Sequence, residues 1–221
     1  MPARRPGLTA RPPRAQGRPS AAETWRINRR LWYSGSRRRL YLALWVPNGL
    51  IVGCESLYVA YDSRHAGLLF ACAATGMLTG DMLMGRFVPK RWRERLSAPL
   101  RLLLAVPYLV FLVHPSRPVA VAAVVLASAG YSAGLLLQER LLAVTPEEMS
   151  GQALGLQSSG VLTMQGAGAA IAGAVAQVTS AAAAMGVMAV ASVAVTLALA
   201  PGLRADAAVE VRSCAPAGRT A

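Results

Sequence analysis

Residues 40–61 read LYLALWVPNGLIVGCESLYVAY, an apolar run that follows three consecutive arginines at 37–39. About 20 apolar residues in a helix are enough to cross the roughly 30 Å of hydrocarbon in a bilayer. The run ends at residues 62–65, DSRH, where charged side chains return. This stretch therefore predicts a membrane-spanning helix with arginines at its start.

Apolar runs of similar length recur along the chain, separated by short charged patches. The third run is short, so its span must include Pro99, Leu100 and Arg101, with the arginine side chain reaching towards the membrane surface. The pattern predicts an all-α, polytopic membrane helix bundle over residues 40–203. Its six transmembrane helices are expected at about 40–61, 66–85, 99–115, 119–138, 151–178 and 181–203.

Basic residues are distributed unevenly between the two sides that six crossings would create. Of 23 Lys and Arg, all but Arg64 and Arg117 fall on one side. Basic residues near the ends of spanning helices stay cytoplasmic, which predicts a multi-pass protein of the cell (inner) membrane with both termini in the cytoplasm. The basic side comprises residues 1–39, 86–101, 138–150 and 204–221, which hold 11, 6, 1 and 3 Lys and Arg.

The net charge of +13 would also suit a nucleic-acid-binding protein if the chain were soluble. We favour anionic lipid headgroups as the partner of these cations, because 11 of them lie before residue 40 among Pro, Gly and Ala. Residues 1–39 are predicted to be a disordered basic cytoplasmic segment with a short amphipathic helix near 21–33. Residues 204–221 are predicted to be a cytoplasmic tail, and no nucleic-acid partner is expected.

No catalytic or metal-binding pattern is recognisable in the sequence. The three cysteines, Cys54, Cys72 and Cys214, have no paired spacing, so neither a disulfide framework nor a zinc site is expected. Ser158 and Ser159 have no histidine nearby in the sequence to act as a base. We therefore expect no enzyme activity and no metal or organic cofactor.

Three polar residues within the predicted spans are candidates for a transport pathway. Glu55 is the most informative, because an ionisable group inside a span is costly and usually faces a cavity or a partner. Asn48 lies seven residues earlier, on the same helical face. Glu55 either takes part in transport by binding a proton or substrate, or is a neutral, hydrogen-bonded residue between helices. Gln165 is a further candidate for the cavity, although an interhelical hydrogen bond is the favoured interpretation.

Several spans place glycines four residues apart. In lipid there is no hydrophobic drive between helices, so close backbone approach at small residues holds such bundles together. We predict helix packing at Gly76, Gly80, Gly130, Gly134, Gly151 and Gly155. The sequence Thr145-Pro-Glu-Glu148 in turn predicts an N-cap and a helix start before the fifth span.

Two segments resemble motifs of major facilitator superfamily transporters. Residues 76–86, GMLTGDMLMGR, are similar to the cytoplasmic signature between paired helices, and residues 145–156, TPEEMSGQALGL, to the segment leading into the eleventh helix. The resemblance covers about residues 24–203 and corresponds to the C-terminal six-helix half of an efflux-type member. It implies two three-helix repeats, with Asp81 and Arg86 gating the inner side. The alternative is that both are helix-end charges exposed to water.

The resemblance implies a truncated or split permease that exports small molecules by proton coupling. Such a half needs a second six-helix half or a second copy of itself, because the family's substrate path lies between two bundles. A non-transporting membrane fragment or scaffold that packs against a partner membrane protein is the alternative. The sequence names neither the substrate nor the coupling ion.

Overall fold

The computed structural model describes residues 21–214, with side chains at 21–89 and 96–207. The segment 1–20, predicted to be disordered, and residues 215–221 of the predicted tail lie outside the described residues. Between 21 and 214 every regular element is helical, and six helices are long and apolar enough to cross a membrane. The prediction of an all-α bundle with six such helices is confirmed.

The chain forms nine α-helices and three short 3₁₀ segments within the described range. The helices are α1 (Ala21–Tyr33), α2 (Gly35–Ser56), α3 (Tyr58–Tyr61), α4 (Ala66–Phe87), α5 (Lys90–Ala105), α6 (Arg117–Ala129), α7 (Ala133–Ala143), α8 (Ser150–Val178) and α9 (Ala181–Cys214). The 3₁₀ segments are Val106–Val113, Gly130–Ser132 and Glu147–Met149. The six candidate spans, numbered in order below, are Gly35–Tyr61, Ala66–Phe87, Leu96–Val113, Arg117–Ala143, Glu147–Val178 and Ala181–Ala207.

The first span lies at the centre of the packing. Its helix α2 packs most extensively against α8 and α9, while α4 packs against α6, and the third span packs against α9. Buried residues form two clusters. The smaller cluster, which includes Leu31, Leu40, Leu141 and Leu203, joins α1 to the bundle at the end where the first span begins.

Glycines set the closest helix approaches. A side chain at Gly76 would come within 2.5 Å of the Val125 carbonyl oxygen, and Gly80 has the same relation to Ala129. Gly130 lies directly against Leu104 of α5. These three predicted packing glycines therefore lie where two backbones meet. The other three are Gly134, Gly151 and Gly155. A Cβ atom built at any of them would meet no atom of another helix within 4 Å among the described residues.

The tightest contact joins α2 to α8 and involves glycines outside the predicted set. A Cβ atom at Gly168 would overlap the Gly49 carbonyl, and one at Gly53 would lie 2.7 Å from the Gly168 oxygen. Paired positions advance in the same order along both helices, from Tyr41 with Ala153 to Asn48 with Gln165. The two helices are therefore parallel.

Two local predictions are wrong. Arg101 is only 4% exposed and donates from Nη2 to the Thr196 carbonyl, 2.9 Å away, because its helix begins at Lys90 and carries it into the bundle. Thr145 does not cap a helix start. Its hydroxyl donates back to the Leu141 carbonyl at 2.6 Å. The predicted helix start itself is present, because the 3₁₀ segment Glu147–Met149 leads directly into α8 at Ser150.

Candidate functional site

The carboxylate of Glu55 is held by a tyrosine from another span. The Tyr131 hydroxyl donates to Glu55 Oε1 at 3.0 Å, joining the first span to the fourth. Glu55 is half-buried near the C-terminal end of α2, two residues before that helix is interrupted at Leu57. A carboxylate accepting a hydroxyl proton makes a stronger hydrogen bond than a neutral pair does.

Two further tyrosines lie beside this pair. The Tyr58 and Tyr108 hydroxyls hydrogen-bond to one another, joining the first span to the third, and both side chains are fully buried. Phe111 stacks on Tyr108 with ring centroids 5.8 Å apart. We call Glu55, Tyr58, Tyr108 and Tyr131 the Glu–Tyr cluster.

Helical regularity is lost in three spans where they meet the Glu–Tyr cluster. The first span is interrupted at Leu57, the third becomes a 3₁₀ helix over Val106–Val113, and the fourth has a 3₁₀ turn at Gly130–Ser132. Pro107 contributes to the change in the third span, because proline removes a backbone donor. Short 3₁₀ stretches inside longer helices often mark hinges. The cluster therefore lies where three spans depart from regular α-helix.

Asn48 and Gln165 form a separate pair. Gln165 Nε2 donates to Asn48 Oδ1 at 2.9 Å across the α2–α8 interface, beside the Gly49–Gly168 contact. Asn48 and Glu55 lie two helical turns apart, about 10 Å along the axis. The structure thus brings Asn48 to Gln165 but gives Glu55 a different neighbour, the fourth span.

The predicted gating residues do not meet. Asp81 and Arg86 are both exposed on the C-terminal part of α4, and within the described side chains no hydrogen bond or ion pair joins them. Neither contributes to the Glu–Tyr cluster.

A polar pocket lies at the loops between the first and second and the third and fourth spans. The cavity measures about 280 Å³ and includes Tyr61, Leu69 and Val121 in its walls. Asp62 lies at its rim, 3.0 Å from His65 Nδ1 and 3.8 Å from the Arg117 guanidinium. The hydrogen bond from His65 lowers the pKa of Asp62 below its ordinary value.

Arginines tie span ends together at the other end of the bundle. Arg39 Nε donates to Asp206 Oδ2 at 2.8 Å, which joins the start of the first span to the end of the sixth. Arg140 donates to the Leu203 carbonyl at 2.9 Å, so the fourth span is held at the same place. This end is therefore fixed by charge, whereas the Glu–Tyr cluster lies among irregular helices.

Sequence reasoning identified Glu55 but missed the three tyrosines. Tyr58 follows Glu55 by one helical turn, so its hydroxyl near the carboxylate was a signal available in the sequence, whereas Tyr131 gave none. Their pairing depends on contacts between spans distant in sequence. It cannot be read from local spacing.

Comparisons with protein-family models, with curated proteins and with solved structures find no match for this chain.

Proposed function

We propose that this chain is a transporter subunit that couples proton binding at Glu55 to the movement of small molecules across the cell membrane. The observation that carries the proposal is the Glu55–Tyr131 hydrogen bond, located where three spans depart from regular α-helix. An ionisable group inside a membrane span is a functional candidate by default. In this proposal the irregular helix segments around Glu55 act as the hinge.

Protonation of Glu55 changes the contact between the first and fourth spans. The ionised carboxylate accepts a charge-assisted bond from Tyr131, which is roughly twice as strong as a neutral one. Once protonated, the carboxyl holds Tyr131 less strongly, and the irregular segments at Leu57 and Gly130–Ser132 are free to bend. Proton binding thus favours one of two arrangements of the bundle, as population shift requires.

The arrangement of contacts supports two three-helix repeats, as in half of a major facilitator fold. If the first, second and third spans are exchanged with the fourth, fifth and sixth, most of the large contacts have a counterpart, although the α8–α9 contact has none of similar size between the second and third spans. The first span packs on the fifth as the fourth packs on the second, and the first packs on the sixth as the fourth packs on the third. Such internal symmetry is typical of secondary transporters.

A second six-helix body completes the transporter in this proposal. The fifth span is the least buried of the six, and its exposed surface includes Ser158, Ser159 and Thr163. Thr163 already donates to the Ser159 carbonyl within α8, so what favours a covering protein surface is the low burial of the whole span. That body is a second copy of this chain or another six-helix half. Asn48 and Gln165 line the path between the two bodies, and Asp81 and Arg86 gate its cytoplasmic side.

The test is proton-driven flux into vesicles that contain the purified full chain. With an imposed pH gradient, ethidium as the probe and an internal pH dye, wild type is expected to move both dye and protons. Glu55→Gln cannot ionise and is expected to lose proton-driven flux, whereas Tyr131→Phe keeps the carboxyl and shifts the pH dependence. Glu148→Gln, an exposed carboxylate before α8, is the matched control and keeps wild-type flux. Equal flux in Glu55→Gln and wild type would remove Glu55 from the mechanism.

The second candidate function is a non-transporting scaffold. Gly151 and Gly155 leave open space along α8, which suits close packing against another membrane helix. A scaffold moves neither dye nor protons in any variant. In that case Gly155→Leu would disrupt its association with a partner, and Glu55→Gln would not.

A further inference from the structure

Helix α1 has two faces of opposite character. The inner face, at spacings of three and four residues, is buried or half-buried and consists of Thr24, Ile27, Asn28 and Leu31. The outer face is exposed and consists of Trp25, Arg26, Arg29, Arg30 and Tyr33. Such a division is typical of a helix that lies between a protein surface and a second, charged environment.

The inner face is fixed to the membrane bundle. Leu31 is fully buried in the smaller core cluster, and the Trp32 ring stacks on Trp45 of α2 at 5.6 Å. Gln152 at the start of α8 donates from Nε2 to Asn28 Oδ1 at 2.8 Å. Helix α1 is therefore attached both to the first span and to the fifth, and is not a free anchor.

Arg37 fixes the C-terminal end of α1. Its guanidinium donates to the carbonyls of Arg30 and Leu31 at 3.4 Å and to that of Val144, beyond α7, at 3.2 Å. The last carbonyls of a helix otherwise lack partners. This arginine thus holds α1 in a fixed orientation on the bundle.

The outer face combines positive charge with exposed aromatic rings. Arg26, Arg29 and Arg30 are accompanied within α1 by a single acidic residue, Glu23. Trp25 is 64% exposed and Tyr33 76% exposed, and the Arg29 guanidinium lies 5.2 Å from the Trp25 ring centroid. Arginine suits phosphate, and tryptophan and tyrosine prefer the headgroup level of a bilayer.

The position of α1 matches that chemistry. It ends at Tyr33, and the first candidate span begins two residues later at Gly35. We infer that the outer face of α1 binds anionic phospholipid headgroups and that this binding stabilises the packing of α8 against α2. The inference requires a bilayer at this end of the bundle but does not depend on the transport proposal.

A lipid titration of the full chain tests this inference. The protein is purified in an uncharged detergent, and its thermal unfolding midpoint is followed as phosphatidylglycerol or phosphatidylcholine is added. Phosphatidylglycerol is expected to raise the midpoint and phosphatidylcholine to leave it unchanged. Salt at about 1 M, where the Debye length is about 3 Å, is expected to abolish the effect.

The variant Arg29→Gln with Arg30→Gln removes two outer-face charges. Each arginine near an anionic surface contributes roughly fivefold, so half-maximal stabilisation is expected to need roughly 25-fold more phosphatidylglycerol. The matched control is Arg64→Gln with Arg117→Gln at the opposite end of the bundle, which keeps the wild-type response. Arg29→Lys with Arg30→Lys preserves the charge and keeps the response as well.

Three results would overturn the inference. One is an equal response of the glutamine variant and wild type to phosphatidylglycerol. Another is an equal effect of the two lipids on wild type. The third is stabilisation by a single-stranded RNA probe with none by phosphatidylglycerol. If the double glutamine variant does not fold, Arg29→Gln and Arg30→Gln are measured singly, each with an expected shift of roughly fivefold.

Discussion

At the residue scale, the sequence identifies Glu55 as an unusual residue but does not identify its hydrogen-bond partner. A carboxylate within an apolar run is conspicuous in the sequence because desolvation makes it costly. Its partner Tyr131 lies 76 residues away, and nothing near Glu55 in the sequence points to it. The ionisable group was thus predictable, whereas the hydrogen bond that gives it a mechanism depends on the packing of the first span against the fourth.

Asp62 gives a pH-dependent prediction at the same scale. The hydrogen bond from His65 lowers the pKa of Asp62 in the folded protein, so its ionised form stabilises the fold. This contribution is fully present above the unfolded pKa of about 4 and is lost as the pH falls through the lowered folded value. We expect Asp62→Asn to lower the thermal midpoint at pH 7 and the gap to wild type to close as the pH approaches 3.

The control for Asp62 is Glu147→Gln, which changes an exposed carboxylate in the 3₁₀ segment before α8. Its midpoint is expected to follow that of wild type at each pH. If the gap in thermal midpoint between wild type and Asp62→Asn instead widened on acidification, the ionised form of Asp62 would not be the one that stabilises the fold.

At the element scale, the six apolar helices were predictable and their contacts were only partly so. A bilayer accepts a spanning segment only if its backbone groups are paired internally, which makes a long apolar run a helix almost by necessity. The spacing of small residues is a weaker signal for which helices touch, because one helix can carry small residues on several faces and only some of these faces meet another helix. Gly76 and Gly80 meet α6, while Gly151 and Gly155 face open space, and Gly49 with Gly168 makes the tightest contact.

Substitution of Gly49 tests the importance of the α2–α8 contact. A Cβ atom there would overlap the Met164 carbonyl and lie 2.9 Å from Met164 Cβ, so the two backbones must separate. Overpacking of this kind costs about 1–3 kcal/mol. We expect Gly49→Ala to lower stability in a detergent unfolding assay by that amount. Gly151→Ala, which meets no neighbour within 4 Å, is the control and is not expected to lower it.

At the scale of the whole molecule, the ends of the membrane domain lie together. The Arg39–Asp206 pair places the start of the first span beside the end of the sixth, which agrees with an even number of crossings. Arg64 lies in the loop before α4 and Arg117 is the first residue of α6, both at the opposite end. The charge asymmetry in the sequence therefore corresponds to the two ends of one bundle. It predicts, by the positive-inside rule, that the arginine-rich end faces the cytoplasm.

Cysteine labelling in intact cells tests this orientation. In a background without the native cysteines, Ser63→Cys adds a thiol to the loop that contains Arg64, and Ala205→Cys adds one beside Asp206; both positions are exposed. A membrane-impermeant maleimide is expected to label position 63 from outside and position 205 only after lysis. Labelling of 205 alone from outside would invert the topology. Labelling of both from outside would place the two positions on the same side of the membrane. That result would contradict the structure, in which position 63 and position 205 lie at opposite ends of the bundle.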